Sequence, residues 1–268
     1  MTPRIRLVAL DLDGTLLNSR GRVSEANAAA VRAAAAAGAV VVLATARWYA
    51  TAARWAGRLG VAGPVICHSG ALVRDGGSGR DLLHLTLDLE LARRVAALGD
   101  ERRWVMYTTV GEVTHARPFP GVDPGRLPPE LRPCERHAEA LVAPPTSILI
   151  FGQEALAEVC ERFEDACREL ARFGRNETPG FPAYLTLTHP EADKGRALLA
   201  VCRHLGVDPA DAMALGDAPA DAEMFEAVGL GVAMGNAPDG VKARARDVAP
   251  TNDEDGVAWA IRRYVLGA

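Results

Sequence analysis

The stretch IRLVALDLDGT, residues 5–15, decides the fold. Its first six residues form an apolar run of the length that suits a buried parallel strand, and its end is rich in the turn residues Asp and Gly. Further apolar runs occupy residues 39–44 and 64–67, and helical patterns fill the segments between them at 25–37 and 48–59. This alternation of strand and helix predicts right-handed crossovers and an α/β fold with a parallel sheet.

The middle third of the chain follows a different pattern. Residues 104–110 and 147–151 read as β-type runs, and residues 154–173 as an amphipathic helix. Prolines gather between residues 118 and 133, which excludes a long regular element there. We therefore predict that this region is a separate α+β domain.

The strand–helix rhythm resumes after residue 187, where a helix at 194–205 precedes a strand at 212–215. We predict a discontinuous, Rossmann-like core domain made of residues 1–82 and 188–268. The α+β domain is then an insertion of residues 83–187.

Composition narrows the classes of function. The net charge is −4, and the 30 basic residues are spread along the chain, so we expect no nucleic-acid partner. Five cysteines without a CxxC pair argue against a disulfide framework or a zinc site. There is no signal-like segment and no apolar stretch of about 18 residues, so we expect a cytoplasmic protein without a membrane partner.

Polar side chains follow the apolar runs directly. In parallel α/β sheets, ligands bind beyond the carboxyl ends of the strands, so segments far apart in sequence are expected to converge there. The residues in these positions are Asp11, Asp13, Thr45, Arg47, Asp217 and Asp221.

Four of these residues are carboxylates, namely Asp11, Asp13, Asp217 and Asp221. Close like charges repel by several kcal/mol at an effective dielectric constant of about 20, and a divalent cation relieves that repulsion. Oxygen ligands favour a hard ion, and Mg²⁺ is the usual partner of phosphate. We therefore predict a Mg²⁺ site, with Asp217 as a direct ligand and Asp221 bound directly or through water.

A carboxylate can attack phosphorus and split one displacement into two easier steps. We assign Asp11 as the nucleophile and Asp13 as the general acid and base. The Thr45 hydroxyl and the Lys194 amine are predicted to bind the phosphoryl oxygens, together with the peptide N–H groups of Leu12 and Asp13. The predicted reaction is hydrolysis of small phosphate monoesters through an aspartyl phosphate on Asp11.

At these residues the sequence resembles the haloacid dehalogenase (HAD) superfamily of phosphatases. DLDGTLL at residues 11–17 resembles motif I, and Thr45 within LATAR resembles motif II. Lys194 followed by Gly resembles motif III, and GDAPAD at 216–221 resembles motif IV. The resemblance implies a HAD core, Mg²⁺ as cofactor and an aspartyl-phosphate intermediate.

Two later segments, VAMGNA at 232–237 and NDEDGVA at 252–258, are similar to the Cof-like branch of that superfamily. This similarity implies that residues 83–187 form a large α/β cap of the C2 type. Such a cap closes over the leaving group, excludes water and selects the substrate.

Three positions depart from the usual Cof-like pattern. Ala220 stands where Asn is usual, Ala46 replaces the Gly of Thr-Gly-Arg, and Ser69 replaces the Asn of an Asn-Gly pair. Candidate substrate contacts at the strand ends are Arg47, His68 and Asn236.

Other functions remain open. A phosphomutase or phosphotransferase would use the same intermediate with a sugar hydroxyl as acceptor. A non-catalytic regulatory protein would keep the phosphate site and bind a phosphorylated metabolite. A dehalogenase fits less well because it needs neither a metal nor an acid at Asp13. The expected partner in every phosphate-based case is a small phosphorylated metabolite such as a sugar phosphate, and either a monomer or a homodimer fits.

Overall fold

Strands and helices alternate along most of the chain in the computed structural model, which describes residues 5–176 and 182–267. The strands are β1 Leu7–Leu10, β2 Val40–Ala44, β3 Val65–Cys67, β4 Leu72–Arg74, β5 Asp81–His84, β6 Met106–Val110, β7 Val113–Ala116, β8 Leu131–Pro133, β9 Ser147–Phe151, β10 Arg172–Asn176, β11 Tyr184–Thr188, β12 Ala212–Gly216, β13 Leu230–Ala233 and β14 Asp247–Val248. The helices are α1 Glu25–Ala36, α2 Tyr49–Leu59, α3 Leu89–Arg102, α4 His137–Ala140, α5 Gln153–Val159, α6 Asp165–Cys167, α7 Lys194–Leu205, α8 Ala222–Ala227, α9 Asp239–Lys242 and α10 Gly256–Ile261.

The chain divides into two compact units. Unit 1 comprises Met1–Leu83 and Asp193–Ala268, and unit 2 comprises His84–Ala192. The divisions fall one residue and five residues from those we predicted at 83 and 187. That unit 2 acts as a cap stays a prediction.

Unit 1 is built on a sheet in the order β14-β13-β12-β1-β2-β3-β4-β5. The strands from β14 to β3 are parallel, whereas β4 runs antiparallel to β3. In β1, Val8 and Leu10 pack into one buried cluster and Leu7 and Ala9 into another. Both faces of the strand are therefore covered, which explains its uninterrupted apolar sequence. The predicted α/β fold with a parallel sheet is confirmed.

The register of the central strands determines which loops meet. Leu10 at the end of β1 is paired with Leu43 in β2 and with Leu215 in β12. Because these strands are parallel, the residues that follow them emerge at the same edge of the sheet. The segments beginning at Asp11, Thr45 and Asp217 are thereby brought together.

Unit 2 holds a separate sheet in the order β10-β11-β9-β6-β7-β8. Its strands are antiparallel except for the parallel pair β7 and β8. Met106 and Ile150 pack with α3 and α5 in one buried cluster. Neighbouring strands of this sheet also carry aromatic residues that contact one another. The ring centroid of Phe151 in β9 lies 5.1 Å from that of Tyr107 in β6 and 5.5 Å from that of Tyr184 in β11.

The predicted helix over residues 154–173 is wrong in its last part. Helical structure ends at Cys167, and Phe173 lies in β10, where it is paired with Leu187 of β11. Hydrogen bonding to the neighbouring strand outweighs the helical periodicity of this segment. The periodicity does not reveal that a partner strand is present, because that strand comes from another part of the chain. Within the described residues, none of the helices has the length and apolar character needed to cross a membrane.

Candidate active site

A buried lysine lies at the centre of the site. The Lys194 Nζ atom donates to Oδ1 of Asp11 at 2.8 Å and to Oδ1 of Asp221 at 2.6 Å. Lys194 is the first residue of α7, and the Asp193 side chain caps that helix by accepting from the Arg196 N–H at 2.8 Å. All three charged groups at the centre are almost fully buried, so their attraction is only weakly screened.

Asp221 organises the loop that follows β12. Its second carboxylate oxygen accepts from the peptide N–H groups of Asp217 and Ala218, each at 2.9 Å. Gly216 permits this turn because a Cβ atom there would lie 2.2 Å from Cβ of Asp221. With both oxygens engaged, the Asp221 carboxylate fixes the backbone of Asp217 as well as the Lys194 amine.

Two side chains bind the Asp217 carboxylate. The Thr15 hydroxyl donates to Oδ1 at 2.8 Å, and the Asn236 amide lies 3.5 Å from Oδ2. The same amide donates to the carbonyl of Gly14 at 2.8 Å. Gly14 has φ of 81°, and a Cβ atom there would lie 2.2 Å from the Asp217 carboxylate, so only glycine fits. Thr15 was missed as a site residue, although it stands within DLDGT.

Three carboxylates form a cluster that could hold a metal ion. One ligand atom each from Asp11, Asp217 and Asp221 lie within 4.8 Å of one another. Burial raises the pKa of Asp217 to about 7, and the nearby Asp221 charge adds to this effect. Burial also raises the pKa of Asp11 well above its usual value, and Lys194 offsets only part of that rise. A bound cation would lower both pKa values because it stabilises the ionised carboxylates.

The amine of Lys194 stays charged in this environment. Burial alone would lower the pKa of Lys194, but the carboxylates of Asp11 and Asp221 outweigh it and raise that pKa above its ordinary value. The site therefore keeps one fixed positive charge among the acidic groups. Such a charge is suited to an incoming phosphoryl group.

Asp13 does not belong to the cluster of Asp11, Asp217 and Asp221 that could hold a metal ion. Its exposed carboxylate accepts from Arg47, with Nε to Oδ2 at 2.8 Å and Nη2 to Oδ1 at 2.5 Å. The guanidinium that we predicted as a substrate contact therefore binds a protein group in this structure. A direct role of Asp13 as a metal ligand stays a prediction.

The Thr45 side chain is buried at the end of β2, where its hydroxyl oxygen accepts from the Arg47 N–H at 3.2 Å. His68 and Ser69 lie beside it, in the turn after β3. Leu12 is also buried, and its carbonyl accepts from the N–H of Leu17 at 2.8 Å. Phosphate binding by these groups, and substrate contact by His68 and Asn236, remain predictions.

Known proteins resemble the chain over nearly its whole length. A family model described as haloacid dehalogenase-like hydrolase matches residues 8–261. The 5-amino-6-(5-phospho-D-ribitylamino)uracil phosphatase YcsE of Bacillus subtilis is 32% identical, and the match covers 98% of this chain and 96% of that protein. A crystal structure of a haloacid dehalogenase-like hydrolase from Bacteroides thetaiotaomicron has a TM-score of 0.81 at 26% identity, covering 97% of this chain and 99% of that one.

A further relative is longer than this chain. The chloroplastic endoribonuclease YBEY of Arabidopsis thaliana is 29% identical over 98% of this chain, which spans only 47% of that protein. By contrast, two other relatives from B. subtilis that are named as phosphatases match over almost their full length.

The fold and these relatives together define the chain as a phosphatase. It belongs to the haloacid dehalogenase-like hydrolase family, and the resemblance drawn from its motifs is confirmed.

Proposed function

We propose that the chain is a Mg²⁺-dependent hydrolase of small phosphate monoesters that works through an aspartyl phosphate on Asp11. The observation that carries the proposal is the contact of 2.8 Å between the Asp11 carboxylate and the buried Lys194 amine. This contact fixes one oxygen of the carboxylate, which leaves the other to be directed at phosphorus. A carboxylate and a positive charge held together at the end of a parallel strand suit attack on an anionic group.

In the first step, an Asp11 oxygen forms a bond to phosphorus while the bond from phosphorus to the leaving oxygen breaks. Asp13 gives its proton to that leaving oxygen, which departs as an alcohol. Lys194 and the Thr45 hydroxyl hold the phosphoryl oxygens as their charge redistributes. Arg47 binds Asp13 as a carboxylate, the form that serves as the base in the second step, so this contact can orient Asp13 for that step.

In the second step, Asp13 takes a proton from water, and the water oxygen bonds to phosphorus. The bond between phosphorus and the Asp11 oxygen breaks, which regenerates the carboxylate and releases inorganic phosphate. The same residue thus acts first as acid and then as base. Its exposed position gives it access to water.

The acidic cluster fits a magnesium ion. Carboxylate oxygens are the ligands that Mg²⁺ prefers, and burial, together with the charges of the neighbouring carboxylates, raises the pKa values of Asp11 and Asp217. We propose that Asp11 and Asp217 bind the ion, while Asp221 supports them through the backbone and Lys194. When bound, the ion neutralises the phosphate that the carboxylates would otherwise repel.

The substrate is expected to be a small phosphorylated metabolite. YcsE carries 5-amino-6-(5-phospho-D-ribitylamino)uracil in its name, and this compound belongs in the first set of substrates to test. Sugar phosphates, flavin phosphates and pyridoxal phosphate complete that set. We further propose that unit 2 serves as the cap that selects among them.

Two other candidates stay open. A phosphotransferase would hand the phosphoryl group from Asp11 to a sugar hydroxyl, so release of inorganic phosphate without an added acceptor contradicts it. A regulatory protein would bind phosphorylated ligands without turnover. The intact set of Asp11, Asp13 and Lys194 supports a catalyst over a binding protein.

Release of nitrophenol and phosphate from p-nitrophenyl phosphate, with MgCl2 and with EDTA, tests the proposal. We expect turnover only with Mg²⁺, and Asp11→Asn should lower kcat by at least about a thousandfold because it removes the nucleophile. The matched control is Asp239→Asn, an exposed aspartate in the same unit that should keep wild-type turnover. Turnover that persists in Asp11→Asn at wild-type rate would contradict the proposed mechanism.

A further inference from the structure

A strained turn follows β3 directly. His68, Ser69 and Gly70 have φ values of 51°, 56° and 95°, so three consecutive residues adopt left-handed backbone conformations. Two of them carry side chains, for which this region is unfavourable. Such a conformation persists only where the surrounding structure holds it, and it is often found at functional sites. The residues that this turn contacts therefore indicate which part of the site it holds in place.

One side of the turn is bound to the segment that carries Thr45. The His68 N–H donates to the carbonyl of Arg47 at 3.0 Å, and the Ser69 N–H donates to the carbonyl of Thr45 at 3.1 Å. The Ser69 N–H follows His68, whose left-handed φ turns the peptide plane between these two residues, whereas the His68 N–H follows Cys67, which is extended with φ of −137° and ψ of 175°. The left-handed conformation of His68 therefore sets the direction of the donor that binds the Thr45 carbonyl.

The other side of the turn rests against the start of α7. A Cβ atom on Gly70 would lie 2.4 Å from the carbonyl oxygen of Asp193 and 2.9 Å from its nitrogen, so the two backbones are in direct contact. Asp193 caps α7, and Lys194 is the next residue. Any side chain at position 70 must push the start of this helix away from the turn.

We infer that the His68–Gly70 turn is a positioning element that sets the separation between Thr45 and Lys194. This inference rests on the proposed function, in which those two residues bind the phosphoryl group. The hydrogen bonds fix the Thr45 segment to the turn, and the Gly70 contact fixes the start of α7 to the same turn. A misplacement of about 1 Å in such a site can cost a hundredfold in rate, so a rigid spacer of this kind has a clear use.

Gly70→Ala is the direct test, with Gly79→Ala as its matched control. Gly79 also has a left-handed φ, 69°, but a Cβ atom there meets nothing within 4 Å. At 25 °C, with both variants shown to be folded by circular dichroism, Gly70→Ala should lower kcat at least about tenfold and weaken inhibition by inorganic phosphate at least about fivefold. Gly79→Ala should stay within about twofold of wild type in both measurements, because it adds the same kind of backbone strain without the contact.

Two variants of Ser69 keep the test decisive if Gly70→Ala does not fold. Ser69→Asn should keep wild-type kcat with a higher Tm, because Asn tolerates the left-handed region best among residues with side chains. Ser69→Ala should lower kcat by about two- to fivefold with phosphate inhibition weakened in parallel, because Ala supports this conformation poorly.

The outcomes separate this inference from the proposed function. A folded Gly70→Ala or Ser69→Ala protein with wild-type kcat and wild-type phosphate inhibition overturns the positioning role. A wild-type protein without Mg²⁺-dependent turnover overturns the proposed function instead. If the wild type shows no such turnover, the affinity of each protein for inorganic phosphate is measured by calorimetry instead. Equal phosphate affinities of wild type and Gly70→Ala would then still overturn the positioning role.

Discussion

Arg47 binds the Asp13 carboxylate through two nitrogen atoms, with Nε at 2.8 Å from Oδ2. Both side chains are partly exposed, with 30% and 48% of their area accessible, so solvent screens the pair and its value for stability is small. Its significance is geometric, because a two-point contact orients the carboxylate that we propose as the acid and base.

We expect Arg47→Ala to lower kcat by about 10- to 100-fold and Arg47→Lys by less, because Lys keeps the charge but loses the two-point contact. A double-mutant cycle with Asp13→Asn separates the two roles considered for Arg47. If Arg47 acts through Asp13, its removal costs little once Asp13 is neutral. An undiminished loss in the Asp13→Asn background would instead identify Arg47 as a substrate contact.

The buried pair of Lys194 and Asp221 should matter for stability. Asp221→Asn leaves the Lys194 amine with one carboxylate partner instead of two, at a position with almost no access to water. Leaving a buried charge without any partner costs about 3–5 kcal/mol, but Asp11 still pairs with Lys194 here. We therefore expect a smaller cost of about 1–3 kcal/mol, which urea unfolding can measure. The surface pair of Arg244 and Glu226 provides the control, and Glu226→Gln should cost less than about 1 kcal/mol. Equal costs for the two substitutions would show that burial of the Lys194 pair is unimportant.

Magnesium binding should release protons in a pH-dependent way. The pKa of Asp217 is raised to about 7 by burial and by Asp221, so below that pH this carboxyl group is protonated and must lose its proton to bind the ion. Magnesium affinity should therefore rise with pH up to about 7 and then level off for this group. Calorimetry in two buffers of different ionisation enthalpy counts the protons released at pH 6 and pH 8. An affinity that is constant over this range would contradict the prediction.

His137 should make the protein sensitive to mild acid. Burial lowers the pKa of this imidazole to about 4, while the Nδ1 atom lies 3.0 Å from the Thr108 hydroxyl. Between that value and about 6.5, the unfolded chain binds a proton that the folded chain does not, so stability is lost as pH falls through this window. The loss from this group alone amounts to about 3 kcal/mol at pH 4.

The measurement for His137 is the free energy of unfolding in urea at pH 7 and at pH 5. In wild type it should fall between these two pH values by more than it does in His137→Asn, which keeps a polar group near Thr108 but cannot titrate. The same drop in both proteins would assign the acid sensitivity to other groups.

Much of unit 1 is predictable because local patterns and topology agree there. The apolar run before Asp11 forms a strand that is buried on both faces, as its uninterrupted apolar sequence indicates. The helix that begins at Lys194 starts and ends at the residues that the sequence pattern predicts. The prediction that loops converge beyond the parallel strands requires only the rule for where such sheets bind ligands. The structure places the side chains of Asp11, Asp217 and Lys194 together as that rule leads one to expect.

Unit 2 was harder to predict. Phe173 stands at the end of a segment with an amphipathic helical pattern, yet it lies in a strand. Its strand partner, Leu187, comes from another part of the chain. Antiparallel pairing between distant segments depends on neighbours that a local window does not contain. The partners of Arg47 and the contacts of Gly70 escape sequence analysis for the same reason.

By itself, the sequence determined the class of fold, the order of the motifs and the residue types available for chemistry, because periodicity and turn residues act over a few positions. Only the tertiary structure decided which atoms meet: that Asp221 binds the Lys194 amine, that Arg47 binds Asp13, and that a strained turn contacts the start of α7. Such contacts join residues far apart along the chain, and their geometry is set by strand register and close packing rather than by local preference.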